Sequence, residues 1–329
     1  MKNGEIAMVV GTHALISKWV RFKDLGLVII DEQHRFGTKQ RQALREKEER
    51  LPHLLSMTAT PIPRSLALTL YGDLDLSVLS ELPKGRKPVT TKVVYPAGRN
   101  AVYEEVRERL KAGEQAYVIC PRIDDPDPDQ EQALIARSAV AEAKRLAETI
   151  FPEYEIGVVH GKLSSKARDE VMERFAAGSV NILVATSVIE VGVNVPDATV
   201  IIIEGAERFG LAQLHQLRGR VMRSSKPPLC FLFPESSGEA AVTRLEALRT
   251  AKNGFELAEA DLVQRGAGAL SGSKQWGITD LGMESLQNLR LVEAAREHAR
   301  RIVDNDASLE SYPALSSAMA ARGKDIHFE

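Results

Sequence analysis

Val28-Ile29-Ile30-Asp31-Glu32-Gln33-His34 is an apolar run of strand character that ends in two adjacent acids. β-Branched residues favour the pleated, half-buried surface of a sheet. A carboxylate at the carboxyl end of a buried parallel strand stands where open α/β sheets bind ligands. Asp31 there has the chemistry to hold Mg2+, usually through water, and Glu32 to orient or deprotonate an attacking water. Alone, the same residues also describe an ordinary strand-to-loop transition, so the surrounding pattern has to decide.

Short β-branched runs recur on either side of it. Ile6–Val10, Leu27–Ile30 and Leu54–Met57 read as strands, as do Thr91–Tyr95, Ala116–Cys120, Ile156–His160, Ile182–Ala185, Thr199–Ile203 and Leu229–Phe233. Helical patterns separate the later ones. Asn100–Lys111 is amphipathic, Ala133–Ile150 is long and alanine-rich, and Ser164–Ala177 opens on a serine cap. Such alternation implies an α/β fold whose parallel sheet is joined by crossover helices. The stretch Glu81–Pro88 holds two prolines and a glycine and reads as an inter-domain linker. Asp124–Asp129 reads as a solvated acidic loop. After Phe233 the β pattern stops and helical spacing takes over, which divides the chain into 1–82, 83–234 and 235–329.

Composition narrows the classes. The chain of 329 residues is 44% hydrophobic and only 5% aromatic, so burial must rest on Val, Ile, Leu and Ala. Its net charge of −2 excludes a globally basic nucleic-acid coat and leaves any DNA contact to a local patch. Two cysteines, Cys120 and Cys230, each inside an apolar run, exclude a disulfide framework and imply a reducing compartment. The apolar stretches are far too short to span a membrane, and the first ten residues do not make a signal peptide. A cytoplasmic protein is expected.

Three further stretches carry chemistry. Ser56-Met57-Thr58-Ala59-Thr60-Pro61 follows an apolar strand and presents hydroxyls at its end. Val184–Pro196 joins a strand to a polar turn containing Gly192 and Asn194. Gln213–Arg223 places Arg218, Arg220 and Arg223 within six residues, and guanidinium forks suit phosphate.

Together with Gly11-Thr12-His13-Ala14-Leu15, these motifs, in this order, resemble those of a superfamily 2 helicase. Gln216, Gly219, Arg220 and Arg223 fit its QxxGRxxR pattern. More narrowly, Asp31–Gly37, Met57–Arg64, Tyr71–Lys87 and Ala206–Arg220 resemble the RecG family of branched-DNA helicases, over about Gly11 to Gly277. Transcription-repair coupling factors share this motor but are less similar at Tyr71–Lys87.

The resemblance implies a fold and a set of roles. The expected architecture is a partial RecA-like lobe, an intact second RecA-like lobe with a parallel sheet, and a helical C-terminal appendage. ATP would lie between the lobes with Mg2+ held at Asp31 through water. Asp31, Glu32, Arg220 and Arg223 would be catalytic, the arginines stabilising charge in phosphoryl transfer. Gln216, Gly219, Gly192 and Asn194 would contact ATP, and His34, Thr58 and Thr60 would couple nucleotide state to DNA grip. Thr12, His13 and Thr186 would line the DNA track. Gly254–Gly277 resembles the translocation element that follows this motor, placing Arg265 and Gln275 at DNA. The expected partner is forked or junction DNA, with no membrane.

Departures and one absence qualify these expectations. Met222 stands where the family nearly always has glycine, Asn194 replaces an acid common in related helicases, and Ala269 and Ser271 interrupt the translocation element. No GxxxxGK[ST] loop occurs: Gly161-Lys162 and Gly323-Lys324 are the only Gly-Lys pairs, and neither lysine precedes Ser or Thr. The family carries that loop, and a wedge domain, upstream of Thr12. The chain is therefore expected to be a C-terminal part whose P-loop and wedge segments lie elsewhere, and to be inactive alone as an ATPase. A working motor portion and a catalytically dead DNA- or partner-binding module both remain open.

Overall fold

The computed structural model describes residues 3–17, 19–32, 52–59, 77–79, 85–121, 138–186, 195–222, 224–235, 238–251, 253–261 and 289–322. The chain divides into two compact units, Leu79–Arg265 and Met1–Val78 with Gly266–Glu329.

The larger unit is an α/β fold built on six strands: β3 (Thr90–Val93), β4 (Gln115–Ile119), β5 (Ile156–Val159), β6 (Ile182–Ala185), β7 (Ala198–Glu204) and β8 (Leu229–Phe233). They lie in the order β3-β8-β7-β4-β6-β5, and every neighbouring pair is parallel. Parallel neighbours need crossovers, which here are mostly helical: α1 (Arg99–Lys111), the helical segment 138–150, α2 (Ser165–Ala176) and α3 (Leu211–Gly219). α4 (Glu239–Thr250) follows β8.

Side chains alternate across the strands and feed two cores. Ala116, Val118, Ile182, Val184, Val200 and Ile202 pack with Val106, Leu110 and Leu146 on one face. Tyr117, Ile119, Leu183, Ile201 and Ile203 pack on the other with Phe175 of α2, Leu214 and Leu217 of α3, and Leu245 and Leu248 of α4. Helices on both faces explain why the central strands read as continuous apolar runs rather than alternating ones. Residues beyond Phe233, Leu257 among them, thus belong to this core.

Local chemistry sets the element ends. Ser164 accepts a hydrogen bond from the Ala167 amide and starts α2. The segment 138–150 ends in a π turn, Leu146–Ile150, whose wider ring bonds the Phe151 amide to the Leu146 carbonyl at 2.7 Å and leaves Phe151 fully buried. At the sheet edge, Lys92 pairs with Glu105 at 2.8 Å, a charge of the kind that discourages edge-to-edge pairing.

In the smaller unit, β1 (Leu27–Ile30) and β2 (His53–Ser56) form a two-stranded parallel sheet, and α5 (Leu289–Asn305) and α6 (Pro313–Arg322) are its long helices. Asp306 organises the turn between these helices, accepting from the Ser308 hydroxyl at 2.8 Å and the Ser311 amide at 2.7 Å.

One expected strand is absent. Ile6–Val10 is irregular, with Ile6, Met8 and Val10 exposed. Its apolar character has no effect without a neighbour: among the described residues no strand pairs with it, and an unpaired strand leaves its amides unsatisfied.

Candidate functional site

The smaller unit gathers two of the sequence motifs at one sheet edge. β1 and β2 run in register, Ile30 opposite Ser56, and the Met57 amide donates to the Ile30 carbonyl at 2.8 Å. Asp31-Glu32 and Met57-Thr58 therefore leave the sheet side by side. Asp31 is exposed, and its Oδ1 accepts the Glu32 amide at 2.9 Å. Glu32 has φ of +53°, the left-handed region that costs a non-glycine residue roughly 1–3 kcal/mol and clusters at functional sites. An exposed carboxylate with one oxygen tied to backbone fits the outer-sphere Mg2+ role, because the second oxygen can face a metal-bound water. Thr12 caps the short helix His13–Ile16, accepting from the Ala14 amide at 3.4 Å.

In the larger unit, the register Val159 opposite Ala185 puts His160 and Thr186 next to each other at the carboxyl ends of β5 and β6. Thr186 is 2% exposed, and neither its Oγ1 nor the buried Nδ1 of His160 has a hydrogen-bond partner among the described residues. Buried polar groups are otherwise almost always paired, so two adjacent unpaired groups make this strand end a candidate contact for a polar partner. The exposed Lys162 and Lys166 follow His160 in sequence, on the turn into α2 and in its first turn. His160 was not among the expected site residues. Its signal was there in His160-Gly161-Lys162, directly after a strand, but a lone histidine after a strand has no chemistry until a neighbour is known.

α3 presents the third motif. Leu211, Leu214, Leu217 and Arg218 are buried against the core, which leaves Gln216, Gly219 and Arg220 on the half-exposed side, three and four residues apart. The chain continues as a turn, the Met222 amide donating to the Gly219 carbonyl at 3.3 Å, and Met222 has negative φ. The backbone here does not require the family's glycine.

A charged cluster that the motifs did not signal occupies the end of β7. Glu204 pairs with Arg99 at 3.2 Å, and the Arg99 guanidinium stacks 4.7 Å from the Phe233 ring centre. Burial pushes the Glu204 carboxyl up to about 7, and the attraction of Arg99 only partly offsets it. Arg145 beside it donates to Tyr103 Oη at 2.9 Å and pairs with Glu142 at 2.7 Å. The Cys120 thiol is pushed up to about 12 by burial, which makes it inert.

His34, Thr60, Gly192, Asn194, Arg223, Arg265 and Gln275 lie outside the described residues. Among the described residues, no cluster of His, Cys, Asp and Glu has metal-site geometry, and no helix is long and apolar enough to cross a membrane.

Comparison with known proteins connects these pieces. Residues 1–69 match the DEAD/DEAH box helicase family, 99–225 the helicase conserved C-terminal domain, and 251–317 the ATP-dependent DNA helicase RecG, domain 3, C-terminal. The ATP-dependent DNA helicase RecG of Synechocystis sp. is 46% identical over 98% of this chain, and that of Thermotoga maritima 49% identical over 92%. This chain spans 38% of the length of each. A solved structure of RecG bound to a three-way DNA junction superposes with a TM-score of 0.67 at 45% identity, covering 89% of this chain and 37% of that one. With three family matches in order along the chain and RecG relatives at this identity over nearly all of its length, the chain carries RecG-type C-terminal helicase domains.

Proposed function

We propose that this chain is the C-terminal motor portion of an ATP-dependent branched-DNA helicase that remodels stalled replication forks and recombination junctions. Arg220 and Arg223 stabilise the charge that develops on the transferred phosphoryl group, Glu32 orients and deprotonates the attacking water, and Gln216, Gly219, Gly192 and Asn194 line the nucleotide. Asp31 would hold Mg2+ through water, and the ion would supply neutralising charge at the phosphates. His34, Thr58 and Thr60 couple nucleotide state to DNA grip. Thr12, His13, Thr186, Arg265 and Gln275 face DNA, and His160 joins them because it leaves β5 beside Thr186 at the end of β6, with its Nδ1 unpaired among the described residues like the Thr186 hydroxyl. The boundaries 1–82, 83–234 and 235–329 are the corresponding motor segments.

The observation that carries this reading is the α3 face, where Gln216, Gly219 and Arg220 share one side while the apolar residues hold the helix in the core. Without a P-loop, this chain by itself positions no β- and γ-phosphates and hydrolyses ATP negligibly. The test joins the chain to a segment that carries the loop. DNA-stimulated hydrolysis should appear and be lost in Glu32→Gln, and Arg265→Ala should abolish fork unwinding while sparing hydrolysis stimulated by single strands. Rapid turnover by the chain alone would overturn the assignment. Binding of the chain alone to DNA should be indifferent to sequence and fall steeply with salt, because contacts of this type are to phosphates.

A further inference from the structure

Arg218 is 8% exposed, and its two hydrogen-bonding partners among the described residues are neutral. Its Nη1 donates to the Leu248 carbonyl at 2.7 Å, and its Nη2 lies 3.1 Å from Nδ1 of His215. Taking a guanidinium out of water costs several kcal/mol unless charge or hydrogen bonds offset it. The offset here is directional. Leu248 lies in the last turn of α4, where carbonyls carry the negative end of the helix dipole. Burial, aided by Arg218, pulls His215 down to about 4, so its imidazole is neutral and free to accept. Leucine at this position would be apolar like its neighbours but would make neither bond, so nothing directional would tie the axial register of α3 to that of α4. A planar fork bonded to α4 on one side and to its own helix on the other fixes it.

The placement along the chain gives this bond a consequence. Arg218 lies two residues from Gln216 and two from Arg220, and Leu248 lies three residues before the segment that matches RecG domain 3 begins at 251. We propose that Arg218 is a positioning residue that clamps the arginine-bearing helix α3 to the C-terminal turn of α4, so that movement of α3 during nucleotide turnover is passed to the chain leaving α4. This rests on the reading of α3 as the helix that meets nucleotide.

The test uses the complete motor, with its phosphate-binding loop, and two variants. Arg218→Met keeps length and apolar volume but removes both donors, whereas Arg218→Lys keeps the charge and a donor. The Met variant should retain DNA-stimulated hydrolysis within about twofold, while base pairs unwound per ATP fall by about tenfold, and the Lys variant should recover part of that ratio. An unchanged ratio in the Met variant overturns the clamp, as does a fall of hydrolysis and unwinding together in proportion to the folded fraction. If the parent shows no DNA-stimulated hydrolysis, the motor reading fails, and amide exchange on this chain then judges the clamp separately. Arg218→Met should speed exchange across 247–251 by about tenfold while leaving β7 unchanged, and uniform or absent change overturns it.

Discussion

β1 reads Leu-Val-Ile-Ile and β6 reads Ile-Leu-Val-Ala, yet Leu27 and Ile29 are each 56% exposed while every residue of β6 is buried. Both strands pair in parallel, so strand character and pairing are common to them. The layers differ. β6 lies between strands β4 and β5 with an apolar cluster on each face, whereas β1 has β2 as its one strand neighbour among the described residues. An apolar run with a pairing partner is enough to make a strand, but burial also requires something to cover each face. Each fully buried Val, Leu or Ile adds roughly 1.5–3 kcal/mol, so the larger unit holds most of the stability visible in the described residues.

The largest test of this contrast is Phe175→Ala, which opens a cavity under β4 and β6 and should cost about 3–5 kcal/mol in denaturant unfolding. A loss below ~1 kcal/mol would mean the two-faced core is not what stabilises this unit.

Next come the buried titrating groups of the same unit. Glu204 is raised to about 7 when folded, above its ordinary value of 4.5, so its contribution is full below about pH 4.5 and is lost as pH rises through 7. Between pH 5 and pH 8, Glu204→Gln should therefore gain on the order of 2 kcal/mol relative to the parent. His215 acts in the opposite direction. Its value is depressed to about 4 from 6.5, so its contribution is full above pH 6.5 and is lost as pH falls through 4. His215→Gln should flatten that acid limb, as read from melts across the pH range.

Ser164→Ala removes the cap of α2 and should cost about 1 kcal/mol, measurable as a fall in melting temperature without loss of the sheet signal. The smallest effect belongs to the open sheet. Ile29→Thr should change stability by less than about 0.5 kcal/mol, because its side chain is more than half exposed, and a loss comparable with that of Phe175→Ala would erase the comparison.

Most of the fold could be read in the chain. Leu27–Ile30, Ile182–Ala185 and Leu229–Phe233 are strands at the expected residues, and Ser164 caps where expected. These are local patterns, written in β-branched runs and a single hydroxyl. Ile6–Val10 has the same composition but is not a strand, because pairing is a property of two segments. Asp31, Glu32, Thr58, Gln216, Gly219 and Arg220 stood out because motifs carry them. His160, Glu204 and the clamp at Arg218 did not, because each acquires its chemistry from a residue distant in the chain: Thr186, Arg99 and Leu248.

By itself, then, the sequence determined the α/β class, the parallel strands with crossovers between them, the arginine-bearing face of α3, the lack of a P-loop in these residues and the RecG-type helicase motifs. Tertiary structure alone decided that β3 pairs with β8 at one end of the sheet and that β5 closes the other, since strand order depends on which distant segments meet. It also decided where charge is buried. Period and composition place a side chain on a face, but the cost of removing Arg218 or Glu204 from water depends on the neighbours that fold around it.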